Sequence, residues 1–408
     1  MKILVVNCGS SSIKYQLFEM PRRAVLGKGL VERIGEPGSA LSHTSHGHTE
    51  RRPTEVATHE QGLELVLRAL TEGPGKLLDR IDEIEAVGHR VVHGADEFTG
   101  SVLITDQVLA TIERVAHLAP LHNPPNLAGI RAATRALPRA AQVACFDTAF
   151  HTTLPPVAYT YALPYMLCEQ YRIRRYGFHG TSHRYVSGRA AQLLGAAPEA
   201  VNLITCHLGN GCSMAAVQRG RSVDTTMGLT PLEGLVMGTR TGDLDPAILF
   251  YLGDNGYDIA TLNRICNTKS GLIGISGSSN DLRTLSEKAA SGDARAQLAI
   301  DVFCYRVKKY IGAYVAVLGT VDAVVWTGGI AEHGWRIRAQ CCADLPQLGI
   351  ALAPQRNAEV VGREGEIQSP DSRVKLLVIP TDEEGVIASD TYELIEGGRP
   401  YEAAAKTP

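Results

Sequence analysis

The segment Lys2-Ile3-Leu4-Val5-Val6-Asn7-Cys8-Gly9-Ser10-Ser11-Ser12-Ile13-Lys14-Tyr15-Gln16-Leu17-Phe18 opens the chain. Ile3 to Val6 reads as a buried strand, the Gly/Ser cluster as a tight bend, and Ile13 to Phe18 as a returning strand. The same device recurs half a chain length later. Asn202-Leu203-Ile204-Thr205-Cys206 reads as a strand, and His207-Leu208-Gly209-Asn210-Gly211-Cys212 as a glycine-rich bend with Gly209 in the place of Gly9. Ser213 to Val217 then returns as a strand. A strand–turn–strand unit repeated at half the chain length predicts a duplicated domain.

Between and after the hairpins, strand and helix patterns alternate. Glu85 to Val92, Ala141 to Phe146, Ala323 to Trp326 and Val374 to Ile379 read as strands. Val108 to Ala116, Leu127 to Leu137, Ala294 to Leu318 and Glu383 to Glu393 read as helices, the second of them after a turn at Asn123-Pro124-Pro125-Asn126. Such alternation predicts an α/β fold with mixed sheets. The segment His43 to His59, rich in His, Thr, Ser and Arg, reads as a solvated hairpin or loop rather than a metal site, because no Cys or acid pattern accompanies its histidines.

Length and composition set the class. The chain has 408 residues, 44% hydrophobic and 20% charged, which suits a globular protein of at least two domains. Lysine and arginine number 40 against 43 acids, with no basic block, so no nucleic-acid partner is expected. The nine cysteines form no Cys-x-x-Cys pair and lie mostly in apolar runs, so buried reduced thiols and a cytoplasmic location are expected. No signal peptide is read at the start. The most apolar stretch, Ala313 to Trp326, holds Gly319 and Asp322 and is too short for a membrane span, so no membrane association is expected.

Chemistry-bearing residues cluster in glycine-flanked segments. In the first bend, small residues allow backbone N–H groups to approach a phosphate, while Ser10, Ser12 and Lys14 add donors and charge. An ordinary Gly/Ser hairpin accounts for this bend equally well, and the P-loop pattern is absent. The bend from His207 to Gly211 follows the same logic, and a duplicated pair of such hairpins suits a triphosphate held from two sides. Thr327-Gly328-Gly329-Ile330 follows a buried strand, offering close backbone approach to a nucleotide. Arg90, Asp147, His179 and Arg240 each sit in loops at strand ends or between glycines, where α/β active sites form. Taken singly, each has an ordinary alternative as a surface ion pair or a satisfied core residue.

Seven of these segments, in order, resemble the acetate kinase family almost end to end. They are Asn7 to Lys14, Gly88-His89-Arg90-Val91-Val92-His93-Gly94, Phe146-Asp147-Thr148-Ala149-Phe150-His151, Tyr176-Gly177-Phe178-His179-Gly180-Thr181-Ser182-His183, His207 to Gly211, Met237-Gly238-Thr239-Arg240-Thr241-Gly242-Asp243 and Thr381-Asp382-Glu383-Glu384. The resemblance implies two duplicated ribonuclease-H-like α/β domains with a nucleotide cleft, as in sugar kinases, actin and heat-shock ATPases. Domains are expected at 1–150 and 151–383, with a closing helix at about 384–400 returning to the first.

The same resemblance implies reversible, ATP-dependent phosphorylation of acetate by direct in-line transfer, with ATP/ADP as co-substrate and Mg²⁺ or Mn²⁺ as metal. Asn7 and Glu383 are expected to hold the metal, and Arg90 and Arg240 to grip carboxylate and phosphoryl group. Asp147 is expected to be the essential acid and His179 to stabilise the transition state. Val92, Leu121, Phe178 and Pro231 are expected around the acetate methyl. Lys14, His207, Leu208, Gly209, Asn210, Gly211, Asp281, Leu282, Arg283, Gly329, Ile330, Ala331, Glu332 and His333 are expected at the nucleotide. A homodimer formed through the second domain is also implied. Two departures stand out: Ala331-Glu332-His333 replaces the usual Gly-Glu-Asn, and Thr241 replaces the usual Ser. Alternatives are a propionate kinase, or a non-catalytic ATP-binding switch of the same fold, against which the presence of all four of Arg90, Asp147, His179 and Arg240 argues.

Overall fold

β1 (Lys2–Cys8) and β2 (Ser12–Glu19) pair antiparallel through seven residue pairs, from Lys2 with Glu19 to Cys8 with Ile13. A computed structural model describes residues 1–397, and 398–400, the end of the expected closing helix, lie outside the described residues. The chain divides into two units, one of Met1–Thr152 together with the chain from Asp382 onward, the other Thr153–Thr381.

In the first unit the hairpin continues into β3 (Ala24–Glu32), β4 (Ala40–Ser45) and β5 (His48–Pro53), all antiparallel. On its other side β1 runs parallel to β6 (Ile84–Val91). The short β7 (Val102–Leu103) borders β8 (Ala141–Phe146), which runs parallel to β6. The sheet order is β5-β4-β3-β2-β1-β6-β8-β7.

β1 is apolar almost throughout because both its faces are covered. Leu4, Val6 and Cys8 pack with residues of helices His59–Thr71 and Asn123–Ala136, such as Leu63, Val66 and Ala133. Ile3 and Val5 pack with Ile387 and Ala388 of the closing helix, Glu383–Ile395. That helix comes close enough to β6 that a Cβ on Gly88 would stand 2.6 Å from Ile387 Cγ2 and Thr391 Oγ1.

The second unit repeats the plan. β9 (Asn202–Leu208), β10 (Cys212–Gln218) and β11 (Arg221–Thr225) form an antiparallel meander. β9 also runs parallel to β12 (Ala323–Thr327). The short β13 (Gly365–Glu366) edges β14 (Lys375–Val378), which is parallel to β12, giving the order β11-β10-β9-β12-β14-β13. Thus β3-β2-β1-β6-β8 and β11-β10-β9-β12-β14 share one topology. The two bends differ by one residue: Gly9 N–H donates to Ser12 carbonyl, whereas Gly209 N–H donates to Gly211 carbonyl. Helix Gly180–Leu193 packs on β9 and β12, and the 25-residue helix Ala294–Leu318 packs on β9 and β10.

Two local expectations change. Asn123-Pro124-Pro125-Asn126 is the first turn of a helix, not a turn before it; proline suits that position because its missing N–H has no helical acceptor there. The His43 segment forms a hairpin, β4 to β5, yet His43 itself is buried rather than solvated. Its Nδ1 is hydrogen-bonded to the Tyr15 hydroxyl at 2.6 Å and its Nε2 to the Gly75 carbonyl at 3.2 Å. None of the nine cysteines forms a disulfide, and all nine are buried. No helix among the described residues is long and apolar enough to cross a membrane.

Candidate active site

In the first unit, Asn7, Arg90, Asp147 and Glu383 lie at the carboxyl ends of the parallel strands β1, β6 and β8 and at the first turn of the closing helix. Arg90 Nε donates to Asp147 Oδ1 at 3.0 Å and Nη2 to Oδ2 at 2.5 Å, a bidentate pair. Its Nη1 donates to Asn7 Oδ1 at 3.4 Å, and Nε stands 3.8 Å from Glu383 Oε2. Asp147 is only 1% exposed. Burial disfavours the Arg90 charge, but the carboxylates of Asp147 and Glu383 outweigh it and hold the guanidinium protonated. Burial, with Asp147 and Glu384 adding negative charge against the pull of Arg90, pushes Glu383 up to about 7. Lys14 is exposed and forms a 2.5 Å ion pair with Glu384.

Val92 is buried just beyond β6, not within it. Its N–H donates to Asn126 Oδ1 at 3.0 Å, while Asn126 Nδ2 donates to the Cys8 carbonyl at 2.7 Å. One buried amide thus ties the ends of β6 and β1, a role hidden in what reads as a proline turn. Leu121, also of this unit, is 61% exposed.

In the second unit, His179 adopts left-handed backbone, φ 56°, immediately before helix Gly180–Leu193. Its ring stacks on that of His207, with centroids 4.3 Å apart, and its Nδ1 is hydrogen-bonded to Ser213 Oγ at 2.8 Å. A Cβ on Gly211 would lie 3.5 Å from the His179 ring and 3.6 Å from Arg240 Nη1, so the bend, the imidazole and the guanidinium meet at one place. Arg240 Nη1 donates to the Pro231 carbonyl at 3.3 Å and approaches Met237 sulfur at 3.8 Å. Among the described residues no carboxylate pairs with Arg240, and burial pulls its pKa below the ordinary arginine value. Phe178 is buried beside His179 in sequence. The hydroxyl of Thr241 is buried without a hydrogen-bond partner among the described residues.

A cavity of about 800 Å³ opens in the same unit, lined by Gly209, Asn210, Asp281, Leu282, Arg283, Gly329, Ile330 and His333 from the expected set. Asn280, Ser286, Glu287 and the run Gly334-Trp335-Arg336-Ile337 complete it, and sequence reading missed these. The signal was faint, since Trp335 and Arg336 follow a single glycine, Gly334, with none after them nearby; in the fold the Arg336 guanidinium lies 4.3 Å over the Trp335 ring. Asp281 caps helix Leu282–Ala290 and is clamped by Arg283, whose Nη2 donates to its Oδ2 at 2.8 Å.

His207, Leu208, Gly211, Ala331 and Glu332 are not among the lining residues. Ala331 and Leu208 are fully buried, and Glu332 Oε1 accepts from Gly328 N–H at 2.8 Å and Thr381 N–H at 3.1 Å. Gly328, with φ 81°, is required there: a Cβ would stand 2.7 Å from the Leu208 carbonyl oxygen.

The sequence model of the Acetokinase family matches residues 2–389. The chain is 53% identical over 398 residues to the acetate kinase of Halothermothrix orenii, covering 97% of this chain and 100% of that protein. It is 52% identical over 399 residues to the acetate kinase of Thermotoga maritima, covering 97% and 99%. Among solved structures it is similar to Porphyromonas gingivalis acetate kinase, with TM-score 0.93 and 46% identity over 97% of this chain and 99% of that one. It is also similar to a propionate kinase from Francisella tularensis, with TM-score 0.91 and 42% identity over 96% and 99%. With the family match spanning nearly the whole sequence, this chain belongs to the Acetokinase family.

Proposed function

We infer that this protein transfers the γ-phosphoryl group of ATP to the carboxylate of acetate, giving acetyl phosphate and ADP, reversibly. The observation that carries the reading is Arg240, a half-buried guanidinium with a carbonyl and a sulfur for neighbours and, among the described residues, no carboxylate. A cation desolvated in this way is stabilised by an incoming anion.

Acetate is already ionised near neutral pH, so the transfer needs no general base. The barrier lies in bringing an anionic nucleophile to an anionic phosphate, which positioned donors and positive charge lower. In this reading Arg90 and Arg240 hold the carboxylate and the migrating phosphoryl group, and His179 donates to it. Asp147 keeps Arg90 fixed and charged rather than acting as base or phosphoryl acceptor. Val92, Leu121, Phe178 and Pro231 receive the methyl. The nucleotide occupies the 800 Å³ cavity, against the Gly209 bend and Gly329.

Asn7, Glu383 and Asp147 offer only oxygen donors, the chemistry that Mg²⁺ requires, and burial beside the carboxylates of Asp147 and Glu384 raises Glu383 to about 7, a disfavoured charge that a cation would relieve. Among the described residues no three His, Cys, Asp or Glu side chains form a metal site by themselves. That suits an ion that arrives with the nucleotide and retains phosphate and water ligands. Bound there, Mg²⁺ would neutralise phosphate charge. Asn7 and Glu383 are assigned to hold it, directly or through water.

A cytoplasmic homodimer completes the reading. The second unit exposes Val157, Met166, Phe250, Tyr251 and Ile259 at 69 to 92%, apolar side chains suited to a partner copy. Acetate-dependent release of ADP from ATP tests the proposal. Turnover with acetate well above that with propionate is expected, because one extra methylene must enter the same small pocket. Equal kcat/KM for both acids would favour the propionate reading, to which the likeness to a propionate kinase structure also points.

A further inference from the structure

Helix Gly180–Leu193 and strands β9 and β10 enclose a chain of polar side chains beside His179. Thr205 Oγ1 lies 2.7 Å from His183 Nδ1, His183 Nε2 lies 2.8 Å from Ser213 Oγ, and Ser213 Oγ lies 2.8 Å from His179 Nδ1. Thr205, His183 and Ser213 are fully buried. In such surroundings a hydroxyl or ring proton left unbonded is costly, so the protons order themselves along the chain.

Ser213 has one proton and stands between two imidazoles. If both rings donated to it, its own proton would be wasted; if both accepted, one would receive nothing. One ring therefore donates to Ser213 and the other accepts from it, which couples the tautomer of His179 to that of His183.

Two arrangements satisfy this condition. In one, protons point from His179 toward Thr205, whose own proton is then left with the Ala215 carbonyl at 3.5 Å, the outer limit of a hydrogen bond. In the other, Thr205 donates to His183 Nδ1, His183 Nε2–H donates to Ser213, and Ser213 donates to His179 Nδ1. Each of these protons then sits in a bond of 2.7 or 2.8 Å.

We propose that the second arrangement holds His179 as the Nε2–H tautomer, making Ser213, His183 and Thr205 positioning residues for the nitrogen that donates to the migrating phosphoryl group. A neutral imidazole then serves as the donor, whereas the reverse arrangement would need an imidazolium. The role in transfer rests on the assignment of His179 to the phosphoryl group.

Nitrogen NMR of the full chain with ¹⁵N-labelled histidine reads the tautomer without any assay. His179 with a bare Nδ1 and a protonated Nε2 is expected, and the opposite tautomer overturns the proposal. In kinetics, Thr205→Val keeps shape and removes only the first donor of the chain. Its kcat is expected to fall about ten-fold, the lower end of the loss when an outer partner that fixes a histidine tautomer is removed. KM for acetate and ATP should stay within about two-fold, and Thr205→Ser should restore turnover. Ser213→Ala, which cuts the chain beside His179, should fall further. A Thr205→Val protein with wild-type kcat and wild-type thermal melting would overturn the positioning role. The expected tautomer in a protein that makes no acetyl phosphate would instead sink the functional reading and leave the tautomer assignment standing.

Discussion

Arg90 and Arg240 look alike in sequence, each an arginine two residues after a glycine, yet their surroundings give their substitutions different meanings. Arg240 touches a carbonyl and a sulfur, so Arg240→Ala should leave melting nearly unchanged. Turnover should fall by two to three orders of magnitude, about 3–4 kcal/mol of lost transition-state stabilisation. Wild-type turnover in a folded Arg240→Ala protein would remove it from the mechanism. Arg90→Ala is a less clean probe than sequence suggests, because it strands the buried carboxylate of Asp147, a loss of about 3–5 kcal/mol in stability. Sequence made both arginines candidates because charged residues between glycines stand out. It gave no hint of the Asp147 clamp, since residues 57 positions apart meet only when β6 and β8 pair.

His89, beside Arg90, has an opposite character. It is buried with Nε2 hydrogen-bonded to Gln142 Oε1 at 2.8 Å, and burial pushes its pKa down from 6.5 to about 4. The unfolded chain therefore takes up a proton below about 6.5 that the folded one refuses until about 4. Stability should fall as pH drops through that window, by on the order of 3 kcal/mol in full. Urea unfolding at pH 7 and pH 5 should show a smaller acid loss for His89→Gln than for wild type. Equal losses would mean that His89 is not held neutral.

At the scale of elements, the closing helix Glu383–Ile395 both completes the core on β1 and carries Glu383 toward Arg90. Its closeness to β6 depends on Gly88, where a Cβ would stand 2.6 Å from Ile387 Cγ2 and 3.4 Å from the Ile387 carbonyl oxygen. Gly88→Ala should destabilise by about 1–3 kcal/mol through overpacking. It should also lower activity more than stability alone explains, because the displaced helix takes Glu383 with it. Unchanged urea midpoint and kcat would show that the helix has room to spare. Periodicity marked this helix and its start, while the reason for Gly88 became legible only with the packing. The helix Trp335–Cys342 shows the converse. Its first residues line the cavity, yet its buried Arg338 is satisfied by the Asn357 side chain at 2.8 Å and the Val360 carbonyl at 2.6 Å, partners that no local pattern announces.

At the scale of the molecule, the repeat between the Gly9 and Gly209 bends was readable from sequence because it rests on local signals: apolar runs broken by glycine. The shared strand order extends that repeat to β6 and β8 against β12 and β14, where no residue motif is repeated. The exposed apolar side chains of the second unit could not be told from core residues by composition. A homodimer through them predicts twice the chain mass in sedimentation, and Phe250→Glu together with Met166→Glu should shift it toward monomer. A wild-type protein that sediments as a monomer would contradict that assembly.

Acetyl phosphate is the product that decides the assignment. Purified protein given ATP, Mg²⁺ and acetate, with hydroxylamine added to trap acyl phosphate, should accumulate acetyl hydroxamate in step with ADP, and the folded Arg240→Ala protein should yield almost none. Absence of hydroxamate from the wild-type protein at saturating concentrations of all three would contradict the assignment.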